Sequence, residues 1–185
     1  MSCATTVDVG RFVVLLRAVN VGGRTLSMTA LRDACEASGC TDVQTYIQSG
    51  NAVLAASTRS ASTVERDVHD AIAAETGMDV AVLARTAGEM QKIVASNPFA
   101  RRGIEPRRLH VIFLARKPKA AAGSAIDTAK HAPDRFRIAA REVYLDLPNG
   151  LGTSKLVPAV VRAVGVPATT RNWNTVTKLA DLVSR

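Results

Sequence analysis

The sequence predicts an α+β protein in which the order β-α-β-β-α-β occurs twice, closed by a C-terminal helix. Two observations carry this. Short apolar runs rich in Val, Leu and Ile, bounded by Gly, Asn and Ser, alternate with segments whose apolar residues recur at helical spacing. The order of these segments from Phe12 to Arg85 starts again at Leu109, after a stretch rich in Arg, Pro and Gly. With 185 residues, 47% of them hydrophobic, the chain suffices for one large domain or two small ones with packed interiors.

In the first half, Phe12 to Arg17 reads as a buried strand. Ser27 is placed to cap a helix carrying Met28, Leu31 and Cys35 on one stripe, and Gly39 ends it. Val43–Ile47 and Asn51–Ala56 are strands joined at Gln48-Ser49-Gly50, a hairpin signal. Ser62-Thr-Val-Glu65 has the form of a capping box opening a helix with Val64, Val68, Ala71 and Ile72 inward, up to Gly77. Val80–Ala84 supplies the last strand. This is the split βαβ, or ferredoxin-like, plan. Thr86-Ala-Gly-Glu89 then opens a further helix that Asn97-Pro98 stops.

In the second half, Leu109–Leu114 is a strand, Lys119–Lys130 a helix, and Phe136–Ala139 with Val143–Leu147 a hairpin. A helix over Lys155–Val164 follows, with Pro158 in its first turn and Gly165 at its end. Ala168–Arg171 completes a second ferredoxin-like unit, and a last helix with Trp173, Val176, Ala180 and Val183 on one stripe caps the assembly. The expected domains are therefore 1–96, a linker at 97–107, and 108–185.

Composition narrows the functions. The start lacks the basic and apolar blocks of a signal peptide, and no run approaches the length of a membrane span, so a cytoplasmic protein without a membrane partner is expected. Cys3, Cys35 and Cys40 form neither a disulfide framework nor a metal-ligand spacing; Cys35 reads as core, and no metal or cofactor is expected. The net charge is +8, and residues 101–141 carry all of it, with eleven Lys and Arg against three acids. Arg101, Arg102, Arg107, Arg108, Arg116 and Lys117 thus form a candidate nucleic-acid surface, set against the plainer reading of solvated Arg-rich faces. Only 4% of residues are aromatic and no R-G-F-x-F run is present, so base stacking on a sheet is not indicated. His69, His110 and His131 stand in no recognisable nucleophile setting. Glu142 and Asp146 share one face of a strand, where pairing with Arg or Lys neighbours is the simpler role.

Three polar, glycine-bearing segments sit at strand ends: Arg17-Ala-Val-Asn-Val-Gly-Gly23, Tyr46-Ile-Gln-Ser-Gly-Asn51 and Arg171-Asn-Trp-Asn-Thr175. In the expected topology the first two strands run parallel, which brings the end of strand one and the turn after strand two to one sheet edge. Arg17, Asn20, Gly22, Gly23, Tyr46, Gln48, Ser49 and Asn51 are candidate ligand-binding residues there, and Arg171, Asn172 and Asn174 join them if the segments converge. Turn chemistry is the competing explanation for the Asn and Gly residues. It does not account for Arg17, a charge at the end of a buried strand. Pro148-Asn-Gly-Leu-Gly-Thr-Ser-Lys155 resembles a phosphate nest in composition without being a P-loop, and Thr153 or Ser154 can be its ordinary helix cap. Lys155 at a helix start opposes the helix dipole, which hints at another purpose.

Leu-Leu-Arg17-Ala-Val-Asn20-Val-Gly-Gly-Arg, Tyr46-Ile-Gln-Ser-Gly-Asn51, Ser154-Lys-Leu156 and Thr170-Arg-Asn-Trp-Asn-Thr-Val176 together resemble the bacterial DUF1697 family of unknown function. The resemblance runs from about Phe12 to Leu182. It implies two ferredoxin-like units and no established activity or catalytic residues. Asn, Gln, Gly and Thr are not acids or bases near neutral pH, so the motifs designate no reaction. The expectation is a small phosphate- or carboxylate-bearing ligand in a polar pocket that also uses Lys155. The alternatives are non-specific nucleic-acid binding through 101–141 and a structural or protein-interaction role; the sequence sets no oligomeric state.

Overall fold

The computed structural model describes residues 9–19, 25–101 and 103–185. In chain order the elements are β1 (Gly10–Leu16), α1 (Met28–Ala37), β2 (Thr41–Thr45), β3 (Asn51–Ala56), α2 (Ala61–Thr76), β4 (Val82–Thr86), α3 (Ala87–Ala95), β5 (Leu109–Leu114), β6 (Arg135–Ala139), β7 (Glu142–Asp146), α4 (Leu156–Val164), β8 (Ala168–Asn172) and α5 (Trp173–Val183). They form two compact units, one up to Met90 together with Leu179–Arg185, the other Gln91–Lys178. The division falls inside α3 and α5, whereas composition placed it in the stretch 97–107.

The first unit is a four-stranded antiparallel sheet in the order β2-β3-β1-β4. β1 and β2 therefore run parallel to each other, as the topology expected. Phe12, Val14, Leu16 and Leu54 project to one face, where Leu31, Ala34 and Cys35 of α1 and Val64, Val68 and Ile72 of α2 pack on them. The other face of β1 is also buried at Val13 and Leu15, which is why the strand reads as one continuous apolar run. Ser27 caps α1, its Oγ accepting from the Ala30 amide at 3.0 Å. Burial pushes the Cys35 thiol up to about 12, as befits a core residue.

The cap of α2 differs from the sequence expectation. Ser60, not Ser62, is the N-cap, accepting from the Thr63 amide at 3.3 Å. Glu65 instead accepts from the Ala84 amide of edge strand β4 at 2.8 Å. A carboxylate that satisfies an edge amide protects the sheet and cannot also close a capping box. Thr86 and Glu89 do form the expected box at α3, with Thr86 N to Glu89 Oε2 at 2.9 Å and Glu89 N to Thr86 Oγ1 at 3.1 Å.

The second unit repeats the sheet as β6-β7-β5-β8. Ile112, Leu114, Val143, Leu145 and Leu147 pack with Leu156, Val160 and Val164 of α4. The helix expected over Lys119–Lys130 is absent; two 3-10 turns, Ala120–Ala122 and Thr128–His131, take its place. Helix propensity in Ala-Ala-Ala loses to local side-chain bonding. Ser124 Oγ donates back to the Ala121 carbonyl at 3.0 Å, and Asp127 Oδ1 accepts from the Ala129 amide at 3.1 Å and starts a new turn.

Backbone bonds match between the units. Leu16 N donates to Gly50 O at 2.8 Å and Leu114 N to Arg141 O at 2.8 Å; Arg17 N donates to Ala81 O at 3.0 Å and Ala115 N to Pro167 O at 2.9 Å. Val13 faces Arg85 in one sheet and Val111 faces Arg171 in the other. Each buried arginine sends Nη1 to the carbonyl of the preceding residue at 2.9 Å. These are two similar repeated units, consistent with duplication, although the halves share little visible sequence.

Candidate functional site

In the first unit, the bond from Leu16 N to Gly50 O joins the end of β1 to the turn after β2. Gly50 has φ +69°, and a Cβ there would lie 2.5 Å from Val19 Cγ2, so the turn packs directly against the chain leaving β1. Asn51 is fully buried, and its Nδ2 donates to Tyr46 O at 3.0 Å and Ser49 Oγ at 2.7 Å. Its amide thereby braces the turn from inside. Arg17 and Gln48 are exposed, and Tyr46 and Ser49 half-buried. Asn20, Gly22 and Gly23 lie outside the described residues.

In the second unit, Arg171 is buried and donates from Nη1 to Thr169 Oγ1 at 2.6 Å as well as to the Thr170 carbonyl. Burial lowers its pKa to about 10. Asn172 Oδ1 accepts from the Asn174 amide at 3.0 Å, bracing the start of α5, and Asn174 is exposed. Lys155 is exposed, just ahead of α4.

Lys155 also lines a cavity of about 250 Å³ together with Lys130, His131, Asp134, Asn149 and Thr153. Two chain segments build it. One is the Thr128–His131 turn and the residues up to Asp134; the other is the loop between β7 and α4. The Ser154 hydroxyl donates to Asp134 Oδ2 at 2.7 Å and fastens one segment to the other. Ser154 Oγ accepts in turn from the Val157 amide at 3.3 Å. Thr153 Oγ1 donates to the Asn149 carbonyl at 2.8 Å and closes the loop on itself. His131 Nδ1 is buried with no partner among the described residues. Lys130 Nζ lies 3.5 Å from Asp127 Oδ2 in a largely solvated pair.

In the same unit, Asp146 is completely buried between two arginines. Arg108 reaches it with Nε at 3.0 Å and Nη2 at 3.1 Å, and Arg135 with Nη2 at 2.6 Å. This is the expected role for a carboxylate on β7, and it draws Arg108 out of the basic surface. Of the other basic candidates, Arg107 pairs with Glu105 at 2.6 Å, and Arg101, Arg116 and Lys117 are exposed. Arg102 lies outside the described residues. His110 is buried, which lowers its pKa, and its Nδ1 lies 3.3 Å from the Arg108 carbonyl.

The sequence points to the loop and Lys155 but not to Lys130, His131 and Asp134, which the Thr128–His131 turn and the residues after it bring to the loop. The one available signal was the misplaced positive charge of Lys155 at a helix start. Among the described residues no three His, Cys, Asp or Glu side chains gather as a metal site, and no helix is long and apolar enough to cross a membrane.

The profile of DUF1697, described as a protein of unknown function, matches residues 9–144. The chain belongs to the DUF1697 family. Among solved structures, this DUF1697 protein is similar to the conserved bacterial protein SP0830 from Streptococcus pneumoniae, with a TM-score of 0.69 at 16% identity. The likeness covers 96% of this chain and 100% of that one, and it concerns the fold alone. No curated protein matches the sequence.

Proposed function

We propose that this DUF1697 protein binds a small anionic ligand, carrying a phosphate or carboxylate, in the cavity lined by Lys130, Asn149 and Lys155. The observation that carries the proposal is the convergence of two lysines from separate segments on one cavity, where Asp134, the only carboxylate lining it among the described residues, already accepts a hydroxyl. Lysine ammonium groups pair with phosphate as point charges, and the Asn149 amide can read a further oxygen. Arg171 and Asn51, both in the sequence-based set, have internal bonds that suit support of the fold. Binding alone is proposed, and no bond-breaking step is assigned. Buried free thiols at Cys35 and Cys40 suit a cytoplasmic location. The nucleic-acid alternative has less behind it, because Arg108 and Arg107 already have acidic partners.

Calorimetric titration with inorganic phosphate tests the proposal. Lys155→Ala should weaken binding about tenfold or more, the worth of one charge-assisted bond. Lys117→Ala removes the same charge from an exposed position outside the cavity and should leave affinity nearly unchanged. Equal loss in both variants would mean a diffuse electrostatic effect and would overturn the assigned site.

A further inference from the structure

The cationic cavity has a neighbour. A second cavity of about 460 Å³ in the same unit is lined by Phe99, Thr128, Pro133, Arg135 and Phe136, and it shares Ala132, Pro133 and Asp134 with the first. The two therefore adjoin along one short segment and differ in chemistry. The first is lined by two lysines and an asparagine; the second is lined by Phe99, which Arg135 covers, by Phe136, whose side chain packs against the core of the unit, and by a proline.

Its aromatic wall is held in place. Asn97 Oδ1 accepts from the Phe99 amide at 2.9 Å and fixes the turn that presents the ring. The Arg135 guanidinium lies 5.2 Å from the Phe99 ring centroid, and its orientation is set by the two bonds it makes to Asp146. The guanidinium lies over the Phe99 ring, and the exposed side of this planar pair is a flat surface of the kind on which bases stack. Asp134 stands at the junction, lining both cavities; Oδ2 is occupied by Ser154, and Oδ1 accepts nothing from the described residues.

We infer that the ligand is a mononucleotide. Its phosphate would lie with Lys130 and Lys155, its ribose hydroxyls beside Asp134 Oδ1, and its base against the Phe99–Arg135 pair. The order cation, carboxylate, aromatic ring along the wall matches the order phosphate, sugar, base along the ligand. The combined site has the make-up of a small-molecule pocket, mostly apolar with a few convergent polar groups. This inference rests on the anion reading above and adds the ligand class to it.

The test compares inorganic phosphate, ribose 5-phosphate and AMP by calorimetry on the full chain. AMP should bind about tenfold or more tightly than ribose 5-phosphate, the gain expected from stacking one base. Phe99→Leu keeps apolar bulk but removes the flat ring, so it should bring that ratio towards one while ribose 5-phosphate affinity stays unchanged. Lys155→Ala should weaken all three ligands together. Equal affinity for AMP and ribose 5-phosphate, both weakened by Lys155→Ala, would overturn the mononucleotide and leave the anion site standing. Absence of binding by all three would overturn both.

Discussion

Replacing Asp146 with Asn should destabilise the second unit by about 2 kcal/mol. The carboxylate is 0% exposed, whereas its partners Arg108 and Arg135 are 31% and 55% exposed. Breaking a buried pair typically costs about 3–5 kcal/mol when it strands a charge in the interior. Here the stranded groups are two guanidiniums that can turn to water, which places the cost below that range. Asn keeps the shape but presents an amide N–H₂ where one oxygen accepted, so at least one arginine loses its bond. Arg135→Ala should cost less, about 1 kcal/mol, because Asp146 retains both bonds from Arg108. Urea unfolding followed through Trp173, which lies in the same unit, should show the Asp146→Asn midpoint about 1 M lower if the slope is about 2 kcal/mol/M. A shift below about 0.2 M, or a larger loss for Arg135→Ala than for Asp146→Asn, would refute the argument from burial.

Other substitutions probe the first unit. Gly50→Ala adds a Cβ 2.5 Å from Val19 and 2.7 Å from Leu16 at φ +69°, so a loss of about 2–4 kcal/mol is expected in denaturant unfolding. Ser60→Ala should cost about 1 kcal/mol and Ser62→Ala clearly less, since Ser60 holds the α2 cap; equal thermal shifts would contradict that assignment. His69 lies 3.0 Å from Asp70 and 3.1 Å from Asp79, and these hydrogen bonds raise its pKa above 6.5. Its stabilising contribution is therefore full below that pH and is lost as pH rises through the raised folded-state value. The stability gap between wild type and His69→Ala should accordingly be present at acidic pH and vanish at alkaline pH, and exposure limits it to about 0.5 kcal/mol.

The strands were legible because they are buried on one or both faces. β3 and β5 match the apolar runs Asn51–Ala56 and Leu109–Leu114 residue for residue, and glycines at left-handed φ end α2 and α4 as expected. The crossover after β5 was not legible. Ala120–Ala122 carries helix propensity, but Gly123-Ser124 and the Asp127 cap divide the segment into pieces too short to propagate a helix. Arg85 was not legible either, since one charge inside Val-Leu-Ala-Arg-Thr looks like a strand end. Its counterpart Arg171 was conspicuous only because Asn and Trp follow it. Polar motifs at strand ends were legible as motifs, yet their amide groups turn inward at Asn51 and cap a helix at Asn172. The cavity depends on Lys130, His131 and Asp134 meeting Lys155, a tertiary juxtaposition that no local pattern encodes.

The most direct measurement is a phosphate titration of the labelled protein followed by NMR at the His131 ring and the Lys155 amide. Saturable shifts at both positions, with His69 unmoved, are the predicted result. Shifts spread over Arg101, Arg116 and Lys117 with none at His131, or no saturation at all, would contradict an anion site in this cavity.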